Sequence, residues 1–141
     1  MGVVTVRFMV DALRPENGGF PLQADIDVVR NQIDLVRPVA VRDFFVMSPV
    51  AELINFNLSL TQDSMALRNQ VAVAVNAMIV EKGNPAHQVD GQLVAGTTIM
   101  ASWVAEAIGR VTADFNLTMD DHPMPHNGAL PVLGTITYPT P

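Results

Sequence analysis

The chain has 141 residues, enough for one ordinary domain or two very small ones, and 49% of them are hydrophobic, enough to fill a core. Its net charge is −6, from 14 acids against 8 bases, and Lys82 is the one lysine among scattered arginines. That weighs against nucleic acid, which needs clustered cations to neutralise phosphates. The lack of cysteine excludes disulfides, thiolate zinc sites, iron–sulfur clusters and cysteine nucleophiles within this chain, and suits a reducing cytoplasm.

MGVVTVRFMVDALRPENGG lacks the basic start and long apolar run of a secretion signal. No stretch approaches the roughly 18 unbroken apolar residues of a membrane span. Val4, Val6, Phe8 and Val10 alternate with Thr5, Arg7 and Met9, a strand pattern with one buried face. LRPENGGFPL follows as a loop broken by Pro15, Asn17, Gly18, Gly19 and Pro21. ADIDVVRNQIDLVRP reads as a helix, with Ile26, Val29, Ile33 and Val36 on one face. Asp25 and Asp27 suit its positive N-terminus as solvated caps, and Pro38 ends it.

The next stretch reads as two strands. Val39, Val41, Asp43, Phe45 and Met47 share one face, and Ala40, Arg42, Phe44 and Val46 the other. Ser48-Pro49 is a break. Ile54, Phe56, Leu58 and Leu60 then alternate with Asn55, Asn57, Ser59 and Thr61, leaving a polar face for solvent or a partner. DSMALRNQVAVAVNAMIVEKG reads as a helix capped by Asp63 or Ser64 and ended by Lys82-Gly83. Leu67, Val71, Ala74 and Met78 form one face, and Val75 and Ile79 widen it. NPAHQVDGQLVAG is a connector with a short extended piece at Gln92-Leu93-Val94. TTIMASWVAEAIGRV is a third helix capped by Thr97 or Thr98, with Met100, Val104, Ile108 and Val111 on one face. Phe115, Leu117 and Met119 suggest a short strand, and Ile136 and Tyr138 a last one.

The order is β-α-β-β-α-α-β-β. It predicts an α+β fold, a mainly antiparallel sheet with helices on one face. Residues 1–83 read as a partly ferredoxin-like β-α-β-β-α core, and 84–141 as connector, helix and C-terminal strands packed with it.

The stretch DDHPMPHNGALPVLG holds the densest polar chemistry. His122, His126 and Asp120 are the weak candidates for a metal site, with Asp121 and His87 as further ligands. Pro123 and Pro125 forbid a helix between the histidines, so their spacing of four has no ligand geometry. A turn between strands is the better reading, and no metal or cofactor is expected. Ser48, Ser59, Ser64 and Ser102 lack a nucleophile-elbow context. Asp25/Asp27 and Asp120/Asp121 read as solvated pairs, because acid/base work needs pKa values pushed apart by burial. Asn17-Gly18-Gly19 is too short to cradle a phosphate. Trp103 is expected in core or interface packing, and the eight methionines as core filler. No reactive set converges, so the expectation is a structural or binding protein, with no catalytic residue.

Several segments together resemble the C-terminal part of the phage baseplate assembly protein J family, which includes the Mu-like prophage baseplate wedge protein. They are VTVRFMVDALRPENGGFPLQADIDVVRNQIDLVRPVAVRDFFVMSPV, INFNLSL, TIMASWVAEAIGRVTADFNLTMDD and GALPVLGTITYP. The resemblance runs over nearly the whole chain, as a fragment of a longer protein. It implies a virion component of the contractile tail baseplate, made in the host cytoplasm. Its partners would be other baseplate and tail proteins, with self-association of the full-length protein. Residues 12–23 and 120–134 would be contact loops. The alternative from element order is a ferredoxin-like small-molecule-binding regulatory domain.

Overall fold

The computed structural model describes residues 2–36 and 41–139. Its contacts cluster into two compact units, residues 1–50 and 51–141. That division falls inside the stretch 1–83 expected as one core. The fold is α+β, with three α-helices, a single-turn 3-10 helix at Pro15–Asn17 and seven strands among the described residues.

In the first unit, β1 (Gly2–Arg7) pairs in parallel with β2 (Val41–Met47). Between them in sequence comes α1 (Gln23–Val36), packed on β2 with the Arg30 guanidinium 5.9 Å from the Phe44 ring. Phe44 and Val46 are buried, while Phe45 and Met47 on the other face of β2 are exposed. This is the alternation the sequence predicts. Ile26, Val29 and Ile33 are half-buried on α1, but Val36 is 77% exposed and so leaves the predicted face. Pro38 lies outside the described residues.

The strand expected to reach Val10 stops at Arg7. Beyond it, Val10 N–H donates to Gly19 O at 2.7 Å and Gly19 N–H to Arg14 O at 2.9 Å, folding the loop back on itself. Gly18 and Gly19 have φ of 64° and 81°, and a Cβ on Gly19 would lie 2.1 Å from Asp11 Oδ1. Asp25 corrects the expectation of a solvated cap. It is 9% exposed, takes two hydrogen bonds from the Arg14 guanidinium at 3.0 and 3.1 Å, and accepts Leu22 N–H at 2.8 Å.

The second unit is built on β3 (Val50–Leu60), flanked by β6 (Phe115–Thr118) and β7 (Ala129–Thr137). The β3–β6 pair is antiparallel. Among the described residues β1 and β2 form a separate two-stranded sheet. The element order is therefore partly ferredoxin-like without that fold's single sheet. Ile54, Phe56, Leu58 and Leu60 are buried on one face of β3, and Leu53, Asn55, Asn57 and Ser59 are exposed on the other. The buried face meets α2 (Met65–Lys82) and α3 (Ala101–Gly109) in a core that includes Val71, Val75, Ile79, Val104 and Ile108. Each such side chain contributes about 1.5–3 kcal/mol on burial.

Ser64 caps α2, its Oγ accepting Leu67 N–H at 3.1 Å. Gly83 ends the helix, its N–H donating to Ile79 O at 2.8 Å. A Cβ on Gly83 would come within 2.6 Å of Pro131, so the close approach of β7 requires glycine here. The connector differs most from expectation. It is a β-hairpin, β4 (Ala86–Val89) and β5 (Gln92–Ala95), turned at Asp90-Gly91 with φ of 51° and 80°. Those paired positive φ values belong to the tight hairpin turn that Asp-Gly favours.

Candidate functional site

The HPMPH stretch is structural stitching. His122 forms an antiparallel bridge with Ile99, its N–H donating to Ile99 O at 2.8 Å and its O accepting Ile99 N–H at 2.9 Å. Its Nε2 lies 2.9 Å from Glu52 Oε1, each side chain about one-third exposed (31% and 32%). Met124, two residues on, is buried in the core. The stretch is thus held at its backbone, at one ring nitrogen and by an apolar plug.

Asp121 performs a task assigned from sequence to Thr97 or Thr98. Met100 occupies the N-cap of α3 and supplies no side-chain cap. Asp121 Oδ1 instead accepts Ala101 N–H at 2.8 Å from 20 residues away. A carboxylate there also meets the positive end of the helix dipole. Thr97 is engaged elsewhere, its Oγ1 accepting from Asn84 Nδ2 at 2.7 Å and its N–H donating to Asn84 Oδ1 at 3.2 Å.

His126 donates from Nδ1 to the carbonyl of its own neighbour Asn127 at 2.8 Å, in an exposed position. Asp120 is exposed, and His87 is exposed on β4. The structure therefore does not bring His122, His126 and Asp120 together. Among the described residues no three His, Asp or Glu side chains are placed to hold a metal ion. The loop expected to run to residue 134 becomes β7 at Ala129, with Gly128 N–H donating to Pro85 O at 2.6 Å and Asn127 Nδ2 to Leu93 O at 3.3 Å. Glu52, Ile99 and Asn84 were missed from sequence, since contacts spanning 13 to 70 residues leave no local signature.

Two ion pairs have shifted groups. The Arg14 guanidinium and the Leu22 N–H hold Asp25 below the ordinary carboxylate range. The hydrogen bond from Arg68 does the same for Asp63. Arg68 also lies 4.0 Å from the centroid of the Tyr138 ring, whose hydroxyl is pushed up chiefly by burial.

A groove of about 290 Å³ lies between α2 and α3. Ala74, Ala77 and Ala107 keep it open because their side chains end at Cβ. Trp103 is half-buried on its wall, with Lys82 Nζ 5.4 Å from the ring centroid. Arg110 donates to Glu106 at 2.8 Å along the rim. The groove and the exposed helix face beside it can bind apolar side chains.

These elements define an α+β protein. No family model matches the chain. It is similar to protein JayE of Escherichia coli (strain K12), 26% identical over 144 residues. That similarity covers 98% of this chain and 49% of JayE, so the chain spans about half the length of the curated relative. Among the described residues no helix is long and apolar enough to cross a membrane.

Proposed function

We propose that this chain is a structural component of a contractile, Mu-like phage tail baseplate, a wedge protein acting through protein–protein contacts and not as an enzyme. It would reside in the virion tail after synthesis in the host cytoplasm. The observation that carries the assembly role is its exposed apolar surface: Leu35, Val36, Val73 and Val80 are 80%, 77%, 71% and 72% exposed. A partner that covered these side chains, on either helix by itself, would remove apolar area from water. The tail assignment is supported by the order of the baseplate J-like segments, and the similarity to JayE runs along 98% of this chain.

The test is co-assembly. The protein, tagged and expressed with the tail genes of its own genome, should co-purify with baseplate partners, and its deletion should leave particles without functional tails. Normal tails assembled without it would overturn the reading.

A further inference from the structure

Two asparagines of the chain are followed by glycine, Asn17 and Asn127. The pairing has a chemical consequence. The backbone nitrogen that follows an asparagine can attack its side-chain Cγ, and glycine puts no Cβ in the way. The fold treats the two pairs differently.

Asn17 and Gly18 are both exposed, at the end of the single turn Pro15–Asn17. The Gly18 N–H donates to Pro15 O at 3.2 Å, the long limit for such a bond. Hydrogen bonds in a short 3-10 turn have poor geometry, so this one opens at low cost. The Asn17 carboxamide is held by its Nδ2 donating to Phe20 O at 3.0 Å, also in an exposed position.

Asn127 is exposed too, but Gly128 is buried. The Gly128 N–H donates to Pro85 O at 2.6 Å and Asn127 Nδ2 to Leu93 O at 3.3 Å. His126 Nδ1 donates to Asn127 O at 2.8 Å. Freeing the Gly128 nitrogen therefore means detaching the start of β7 from the base of the β4–β5 hairpin. Asp90-Gly91, the other exposed glycine pair of this kind, has no amide to lose.

We propose that Asn17 is a site of spontaneous deamidation and that the fold shields Asn127 from the same reaction. The Gly18 nitrogen gives its proton to solvent and bonds to Asn17 Cγ. The Cγ–Nδ2 bond breaks, ammonia leaves with that proton restored, and a succinimide closes. Water then opens one of its two carbonyls, leaving aspartate or isoaspartate. Nothing is oxidised or reduced. The product replaces the donor to Phe20 O by a carboxylate that repels that carbonyl, next to Glu16 in the sequence. Isoaspartate also lengthens the backbone by one carbon inside the turn. The proposal does not depend on the tail reading.

Timed incubation of the wild-type protein in mildly alkaline buffer tests it, read by peptide mapping in a mass spectrometer and by enzymatic methylation of isoaspartate. In the folded protein, Asn17 should convert at least about tenfold faster than Asn127, because local openings are cheap at exposed turns and costly at buried pairings. In urea the two rates should converge, since both are then Asn-Gly in an open chain. Asn17→Gln should abolish the early signal with an unchanged circular dichroism spectrum, because glutamine would have to close a larger ring. Asn17 intact in the folded protein, Asn127 converting as fast as Asn17, or a difference that persists in urea would each overturn the proposal.

Discussion

Asp121 shows how one side chain can hold distant parts of a chain. It closes the N-terminus of α3, whose own N-cap residue is the non-capping Met100. Asp121→Ala should cost about 1 kcal/mol in urea unfolding, the usual cost of losing a cap, and Asp121→Asn should recover most of it. Asp25 makes a pH prediction. Its carboxyl titrates lower in the folded protein than in the unfolded chain, because Arg14 and the Leu22 N–H favour the charged form. Its stabilisation is therefore complete above the unfolded value of about 3.9 and is lost as pH falls through the lower folded value. The melting temperature should fall over that acid window, and Asp25→Asn should flatten that part of the profile. A variant with the same acid profile as wild type would remove Asp25 as its source.

At the scale of elements, β3 was legible because a strictly alternating strand with one buried face writes its period into the sequence. The β4–β5 hairpin was not recognised, although Asp90-Gly91 was its signal, because short strands with polar flanks carry little hydrophobic pattern. The start of β7 at Ala129 was hidden by Pro131 and Gly134, which read as loop residues. Gly134 is instead required by packing, since its Cβ would lie 2.0 Å from Asn55 Oδ1, the atom that accepts Thr135 N–H at 2.6 Å. α2 was placed correctly by its cap and its length, but only one side of it is buried. The hairpin base gives a prediction. A Cβ on Gly96 would meet Asn84 O at 1.9 Å, a backbone atom that moves only with its whole segment. Gly96→Ala should destabilise by about 1–3 kcal/mol, as overpacking does. The check is the denaturant midpoint.

Across the whole molecule the two units differ in how much they bury. The continuous core around Ile54, Leu58, Val75 and Ile108 lies in residues 51–141, while, among the described residues, 1–50 contribute Phe44 and Val46 to the buried hydrophobic core. Amide hydrogen exchange should therefore be slowest in β3, α2 and α3 and faster in β1, α1 and β2, since protection follows buried contacts. Equal protection in both would contradict this. Ile79→Ala should cost about 2–5 kcal/mol, the range for truncating a buried aliphatic side chain.

The Asp90-Gly91 turn has a practical consequence. Both residues are exposed, and a Cβ built on Gly91 meets nothing within 4 Å. The base of the hairpin is fastened by Asn84 and Gly128, so the tip can be opened without loosening its root. A short epitope spliced between Asp90 and Gly91 would enter at an exposed turn, giving antibodies or gold particles a handle for locating the protein inside a larger particle by microscopy.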